Sequence, residues 1–246
     1  MDSLAIAAIA FTVAGFVKGV VGFGFPVITL IILTLTFGLL DALAITVIPT
    51  IVTNIWQGLS GPYLRDIFRR MWLYFVTAML FIGLSTAYLT KIDVRWPTAM
   101  LGTVLVVFAL SRLLNVQLSV PKSRERPLSI LLGACNGMLT GLTGSFMVPS
   151  VLYMQALGFS KDMLVQAMGV FFALSTLVLT AALARNDLIS AEHLKLALFA
   201  LVPSIFGLYI GRLARLRINE VRFQQIFLGS VLLLGGYIAF RSIAAP

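Results

Sequence analysis

A lysine stands among glycines in FVKGVVGFGFP, residues 16–26. Lys18 is followed by Gly19, Gly22, Phe23 and Gly24. A second glycine-rich stretch, GACNGMLTGLTGSFMVP at 133–149, carries Asn136, Thr140, Gly141, Thr143, Gly144 and Ser145. Both lie in strongly apolar sequence. One cation, several hydroxyls and amides, and glycines that uncover backbone N–H groups are the chemistry of oxyanion recognition. A helix that starts at such a glycine break presents free N–H groups and a partial charge of about +0.5 to whatever lies beyond it. Asn54 is a further polar group inside an apolar run, with Gln57 one turn later on the same helical face. The expected substrate-binding set is therefore Lys18, Gly19, Gly22, Phe23, Gly24, Asn54, Asn136, Thr140, Gly141, Gly144 and Ser145.

Each feature also has a plainer explanation. Gly15–Gly19 and Gly137–Gly141 are small-xxx-small pairs, which let two helices approach closely. Packing explains the spacing of four but not the clustered Asn136, Thr140, Thr143 and Ser145. Lys18 can snorkel its stem to a surface turn. If it is buried, the cost on insertion scales, about 3 kcal/mol, implies use. Asn54 serves equally well as a helix–helix hydrogen-bonding group. Asp41 and Asp162 open apolar segments, where carboxylates favour the helix N-terminus. Pro49, Pro149 and Pro203 are expected to mark kinks.

Other chemistries lack their residues. A serine hydrolase needs a base within reach of its nucleophile, and the one histidine, His193, sits among charged loop residues. A zinc site needs about three protein ligands. The single cysteine, Cys135, excludes an intrachain disulfide and a cysteine cage. TGLTGSF lacks the GK[ST] of a Walker loop. No catalytic residue, metal or cofactor is expected. A carboxylate relay for protons or sodium would place acids inside the spans, yet all nine lie in loops or at segment ends.

The elements that must position these residues are membrane helices. The chain has 246 residues, 60% hydrophobic and only 11% charged, whereas soluble domains carry about 25% charged residues. Apolar runs fall at about 3–17, 25–40, 42–60, 71–90, 96–114, 128–142, 146–157, 163–184, 193–211 and 223–240. Such runs near span length predict an all-α polytopic membrane protein rather than a barrel. The net charge of +9 comes without a nucleic-acid-binding motif. The expected partners are a small anion and the lipid bilayer, no nucleic acid, with a homodimer as an open option.

The chain reads as two halves, 1–114 and 128–246, joined by a basic linker at 115–127. KGVVGFG at 18–24 aligns with TGLTGSF at 140–146, and Asp41 with Asp162 about twenty residues later. Five segments per half is an odd number, so the second half should be inverted. Each half then has a glycine-broken helix or re-entrant hairpin plus three spanning helices. Basic residues support this. The stretches 61–70, 112–127, 158–162 and 212–222 hold 12 of the 18 cations. Placed inside, they satisfy the positive-inside rule. That puts the central loop in the cytoplasm and the N-terminus outside. The leading MDSLAIAAIAF begins its charges with Asp2 and has no basic region, which argues against a cleaved signal peptide. The alternative is coincidence between two glycine-rich segments.

GFVKGVVGFGFP, Asp41-Ala42, Asn54, GMLTGLTGSFMVPSVL and the Ala167-containing helix together resemble the TauE/SafE family of sulfite exporters, also called the 4-toluene sulfonate uptake permease family. The likeness covers nearly the whole chain. The glycine run usual in both halves is thinner here, GFGF in the first and GSFMVP in the second. The resemblance implies a cell-membrane transporter of sulfite, a sulfonate or a related organic anion. Lys18, Gly19, Gly22, Phe23 and Gly24 match the first motif, and Thr140, Gly141, Gly144 and Ser145 the second. Inverted repeats suit alternating access around a midplane anion site. A carboxylate permease, and from another class an intramembrane enzyme or a non-transporting scaffold, remain the competing readings.

Overall fold

The computed structural model describes residues 3–217 and 219–244; Asp2, the first charge of the sequence, lies outside them. The described residues form α-helices and one short 3-10 turn, Lys122–Arg124. The helices are α1 Ser3–Val21, α2 Phe25–Phe37, α3 Leu39–Leu59, α4 Leu64–Thr86 and α5 Arg95–Leu113, then α6 Glu125–Thr143, α7 Ser150–Ala156, α8 Lys161–Arg185, α9 Ala191–Phe199, α10 Leu201–Arg215 and α11 Glu220–Ala244. Seven segments are long and apolar enough to cross a membrane, with α9 and α10 counted as one. Large apolar side chains stand exposed along them, among them Trp56, Val76, Val202, Phe206 and Leu233. A water-soluble protein would bury these, whereas lipid is as apolar as they are. The chain is a multi-pass membrane protein.

Several boundaries differ from the sequence expectation. The first helix does not stop at 17. It continues through Lys18 and Gly19 to Val21. Glycine weakens a helix by about 1 kcal/mol without ending it, and in α1 it is the price of a close helix contact. The basic stretch 61–70 is not all loop, since Arg65, Arg69 and Arg70 lie in the first turns of α4. The segment expected at 193–211 is interrupted at Ala200, where α9 meets α10. Pro203 follows that junction in the first turn of α10. Pro49 lies inside α3. Pro149 kinks no helix, because it caps the start of α7 after a cis Val148–Pro149 bond.

Asp41 and Asp162 do lie in the first turns of α3 and α8. Their roles differ. Ser160 is the residue that caps α8, accepting from the Met163 N–H at 3.3 Å. Asp41 instead meets His193 Nε2 at 3.3 Å. His193 completes a capping box at the start of α9, its Nδ1 accepting from the Ser190 N–H.

The chain divides into two compact units. The first comprises Met1–Pro49, Val94–Leu114 and Asp187–Pro246; the second comprises Thr50–Asp93 and Asn115–Asn186. In the first, α1 packs along α10 and α5 along α11. In the second, α6 packs along α4, and α8 joins α4. Both α1 and α6 make their contacts through glycine. A Cβ on Gly19 would sit 2.5 Å from the Leu208 carbonyl oxygen, and one on Gly141 2.6 Å from that of Ile82. Only hydrogen leaves room for these backbones to touch.

Candidate anion-binding site

The first unit holds Lys18, Gly19, Gly22, Phe23 and Gly24. Lys18 occupies the last turn of α1 and is 6% exposed. Among the described residues it is the only buried Lys, Arg, Asp or Glu. Its ammonium lies 6.0 Å from the centre of the Phe25 ring at the start of α2. A ring face attracts a cation, worth about 0.5–2 kcal/mol depending on desolvation.

Three residues, 22–24, separate α1 from α2. The turn needs glycine at Gly24, whose φ of 96° is left-handed. Phe23 is the anchor of this turn. Its ring meets Phe108 of α5 edge-on at 6.1 Å and Phe227 of α11 at 6.3 Å. The Arg112 guanidinium lies 5.7 Å from its centre. Phe23 thus clamps the turn against two helices of its own unit.

The second unit holds Asn54, Asn136, Thr140, Gly141, Gly144 and Ser145. Here α6 ends on Gly144, a left-handed cap with φ 70°, whose N–H donates to the Thr140 carbonyl at 2.7 Å. Six residues, 144–149, then separate it from α7. Much of this segment's exposed backbone is satisfied by the polar residues around it. Asn136 Nδ2 donates to the Phe146 carbonyl at 3.2 Å. Thr140 Oγ1 donates to the Ser145 carbonyl at 3.1 Å. The Ser145 N–H donates to Thr143 Oγ1 at 3.2 Å. Ser150 Oγ donates to the Phe146 carbonyl as well. Asn136 and Thr140 therefore hold the segment's shape. Ser145 Oγ, by contrast, is buried without a hydrogen-bond partner.

Asn54 is buried on α3, one turn before Gly58. Gly58 lies against the backbone of Gly169 and Val170 in α8, where a Cβ would come within 2.9 Å of the Val170 nitrogen. Glutamines lock this crossing. Gln166 Nε2 donates to the carbonyls of Gly58 at 3.0 Å and Gly61 at 2.7 Å, while its Oε1 accepts from the Tyr63 N–H at 2.9 Å. Gln57 Nε2 donates to the Val165 carbonyl at 2.8 Å. Sequence reading places Gln57 and Gln166 on helices but does not reveal this clamp. It joins positions more than a hundred residues apart. Ser175, which sequence already places with Thr176 in the repeat counterpart of the Asn54 region, and Thr50 are buried hydroxyls without partners.

Among the described residues, no three His, Cys, Asp or Glu side chains gather as metal ligands would. This membrane chain, whose one buried charge among the described residues stands beside a glycine turn, matches a known protein family. The sequence model of Sulfite exporter TauE/SafE matches residues 7–238. The chain belongs to the TauE/SafE family. No curated protein and no solved structure matches it. Membership in TauE/SafE extends over nearly the whole sequence, so both glycine segments and all seven candidate spans begin and end within or close to the matched region.

Proposed function

We propose that this TauE/SafE chain carries a small sulfur-containing anion, such as sulfite or an organosulfonate, across the cell membrane, and that export is its direction. The observation that carries the anionic substrate is Lys18, a cation kept at 6% exposure in a chain that buries no other charge among the described residues. A buried ammonium is retained where it meets an anion. The family matched by residues 7–238 supplies the sulfur chemistry. On this reading the chain is no enzyme and needs no cofactor, and lipid and the anion are its partners.

We further propose that the chain works by alternating access between two inverted halves, 1–114 and 128–246, with the basic linker 115–127 in the cytoplasm and the N-terminus outside. At an offset of 122 residues Lys18 falls on Thr140, Gly19 on Gly141, Gly22 on Gly144 and Asn54 on Thr176. Helix pairing follows the same offset. The first helix of each half packs on the fourth segment of the other, α1 on α10 and α6 on α4. Each half also interrupts its path after its first helix, at 22–24 and 144–149. Exchanged pairing and a repeated break are what transporter repeats produce.

The test is transport by purified protein in proteoliposomes, with labelled sulfite, sulfoacetate and a monocarboxylate. Sulfite or sulfoacetate should move, and Lys18→Ala should reduce the rate by at least tenfold with Lys18→Arg in between. Equal movement by wild type and Lys18→Ala, in protein that stays folded, refutes the buried-cation reading. Preference for the monocarboxylate would favour a carboxylate permease. Movement of none of the three would count against transport of this class.

A further inference from the structure

The second unit gathers positive charge at one end. Its helices α4 and α6 run parallel, since Gly133 lies against Tyr74, Gly137 against Ala78 and Gly141 against Ile82. Both helices therefore begin at the same end. There Arg70, in the second turn of α4, pairs with Glu125, the first residue of α6. The Arg70 guanidinium also lies 5.2 Å from the centre of the Phe159 ring, two residues before α8 begins. The starts of α4, α6 and α8 thus share one edge of the unit. The stretches 61–70, 122–126 and 161–162 bring seven Lys and Arg to that edge against three acids, Asp66, Glu125 and Asp162, so it carries a surplus of positive charge.

The arginines of α4 divide between two roles. Arg70 turns inward to Glu125. Arg65 and Arg69 are exposed, and among the described residues no carboxylate pairs with either. Below them on the same helix stand Trp72, Val76 and Leu80, exposed by 54%, 58% and 58%. At about 100° per residue, all five side chains fall within about 80° of one another around α4. Asp66, the one acid in the first turns of α4, lies about 100° round from Arg65 and about 60° from Arg69. The two arginines follow each other by about 6 Å along the axis, and Trp72 comes about 4.5 Å further in. Tryptophan gathers at that depth, where the apolar interior meets the headgroups. A cation kept only to set topology could stand anywhere around its helix. These two head a strip that otherwise meets only acyl chains.

We infer that this face of α4 docks an anionic phospholipid, its phosphate held by Arg65 and Arg69 and its acyl chains lying along Trp72, Val76 and Leu80. The planar guanidinium fork matches two oxygens of a phosphate at once. The positive surplus at this edge selects among headgroups. It attracts one with net negative charge and repels the ammonium of a zwitterionic one. The apolar strip supplies the second half of the contact, which a water-soluble phosphate cannot use.

Native mass spectrometry of the full-length protein tests this without any measurement of transport. The protein is taken from mixed micelles holding equal amounts of phosphatidylglycerol and phosphatidylcholine with identical acyl chains. Wild type should retain phosphatidylglycerol at least fivefold over phosphatidylcholine, since each cation at the membrane surface adds a severalfold preference. The double variant Arg65→Gln/Arg69→Gln should bring that ratio to within about twofold of unity. Its melting temperature should stay within a few degrees, because neither side chain makes an ion pair in the fold. Lys91→Gln, beyond the other end of α4, should keep the wild-type ratio. Should the double variant fail to fold, Arg65→Gln and Arg69→Gln carry the test singly, each expected to lower the ratio by at least twofold. Equal retention of both lipids by wild type overturns the inference, as does an undiminished ratio in the folded arginine variants. A ratio that falls as far in Lys91→Gln overturns it too, because general charge rather than this face would then hold the lipid.

Discussion

Replacing Gly19 by alanine separates the two roles open to the glycines around Lys18. In a helix, alanine is favoured over glycine by about 1 kcal/mol. At Gly19, however, the new Cβ would stand 2.5 Å from the Leu208 carbonyl oxygen and 2.8 Å from the Arg212 nitrogen. Ordinary contact begins at 3.4 Å, so α1 and α10 must part by about 0.9 Å. The obstacles are backbone atoms of a helix and cannot swing aside. A gap of that size forfeits between a quarter and a half of each dispersion contact it opens. Overpacking of this kind costs about 1–3 kcal/mol, which cancels or outweighs the helix gain and leaves a net loss of up to about 2 kcal/mol. For a chain of this length that lowers the melting temperature by up to roughly 8 °C. Gly83 is the internal control. It lies within α4, and a Cβ there meets nothing within 4 Å. Gly83→Ala should be neutral or raise the melting temperature by a few degrees. Thermal unfolding in detergent, followed by size-exclusion of the fluorescently tagged protein, reads both. Gly19→Ala as stable as Gly83→Ala would refute the claim that α1 and α10 touch backbone to backbone.

Three further outcomes follow from named contacts. Removing the clamp with Gln166→Leu deletes bonds to Gly58, Gly61 and Tyr63 and should cost about 2–3 kcal/mol; an unchanged melting temperature, or amide exchange at Tyr63 no faster than before, would contradict it. Glu125 is held below the usual carboxylate range, first by its hydrogen bond from Arg70 and further by that cation's charge. A lowered carboxyl stabilises the fold at neutral pH and loses that contribution as pH falls through and below the ordinary carboxylate range. Arg70 reaches it with two nitrogens, at 2.6 and 3.0 Å. Because the pair is partly exposed, the loss should be no more than about 1 kcal/mol. Melting temperatures at neutral and acid pH should differ more for wild type than for Arg70→Met, and equal acid sensitivity would disprove the link. Finally, Phe23→Ala removes the ring wedged between Phe108 and Phe227. Because Phe23 is half-buried, the cost should fall below the about 3–5 kcal/mol of a fully buried ring, read as loss of folded protein after heating, and full retention would show that the turn is anchored elsewhere.

Much of this molecule is written locally. Ten apolar runs of helical length, with few charges inside them, leave no alternative to helices in a lipid environment, because each backbone group must be satisfied within its own segment. Lys18, Gly24 and Gly144 stand out in the sequence because a cation and helix breakers are costly there. What local sequence cannot decide is which partner a side chain finds. Gly15, Gly19, Gly22 and Gly24 look alike in sequence, yet Gly19 serves a helix contact with α10 and Gly24 a left-handed turn. Asn136 and Thr140 look like ligand donors, and the fold directs them to the carbonyls of 145–146. Ser175 looks like any helical serine, and the fold leaves its hydroxyl buried without a partner. The reason is physical. Helix formation depends on neighbours three and four residues away, whereas the satisfaction of a buried polar group depends on whatever atoms the packed chain brings within about 3 Å.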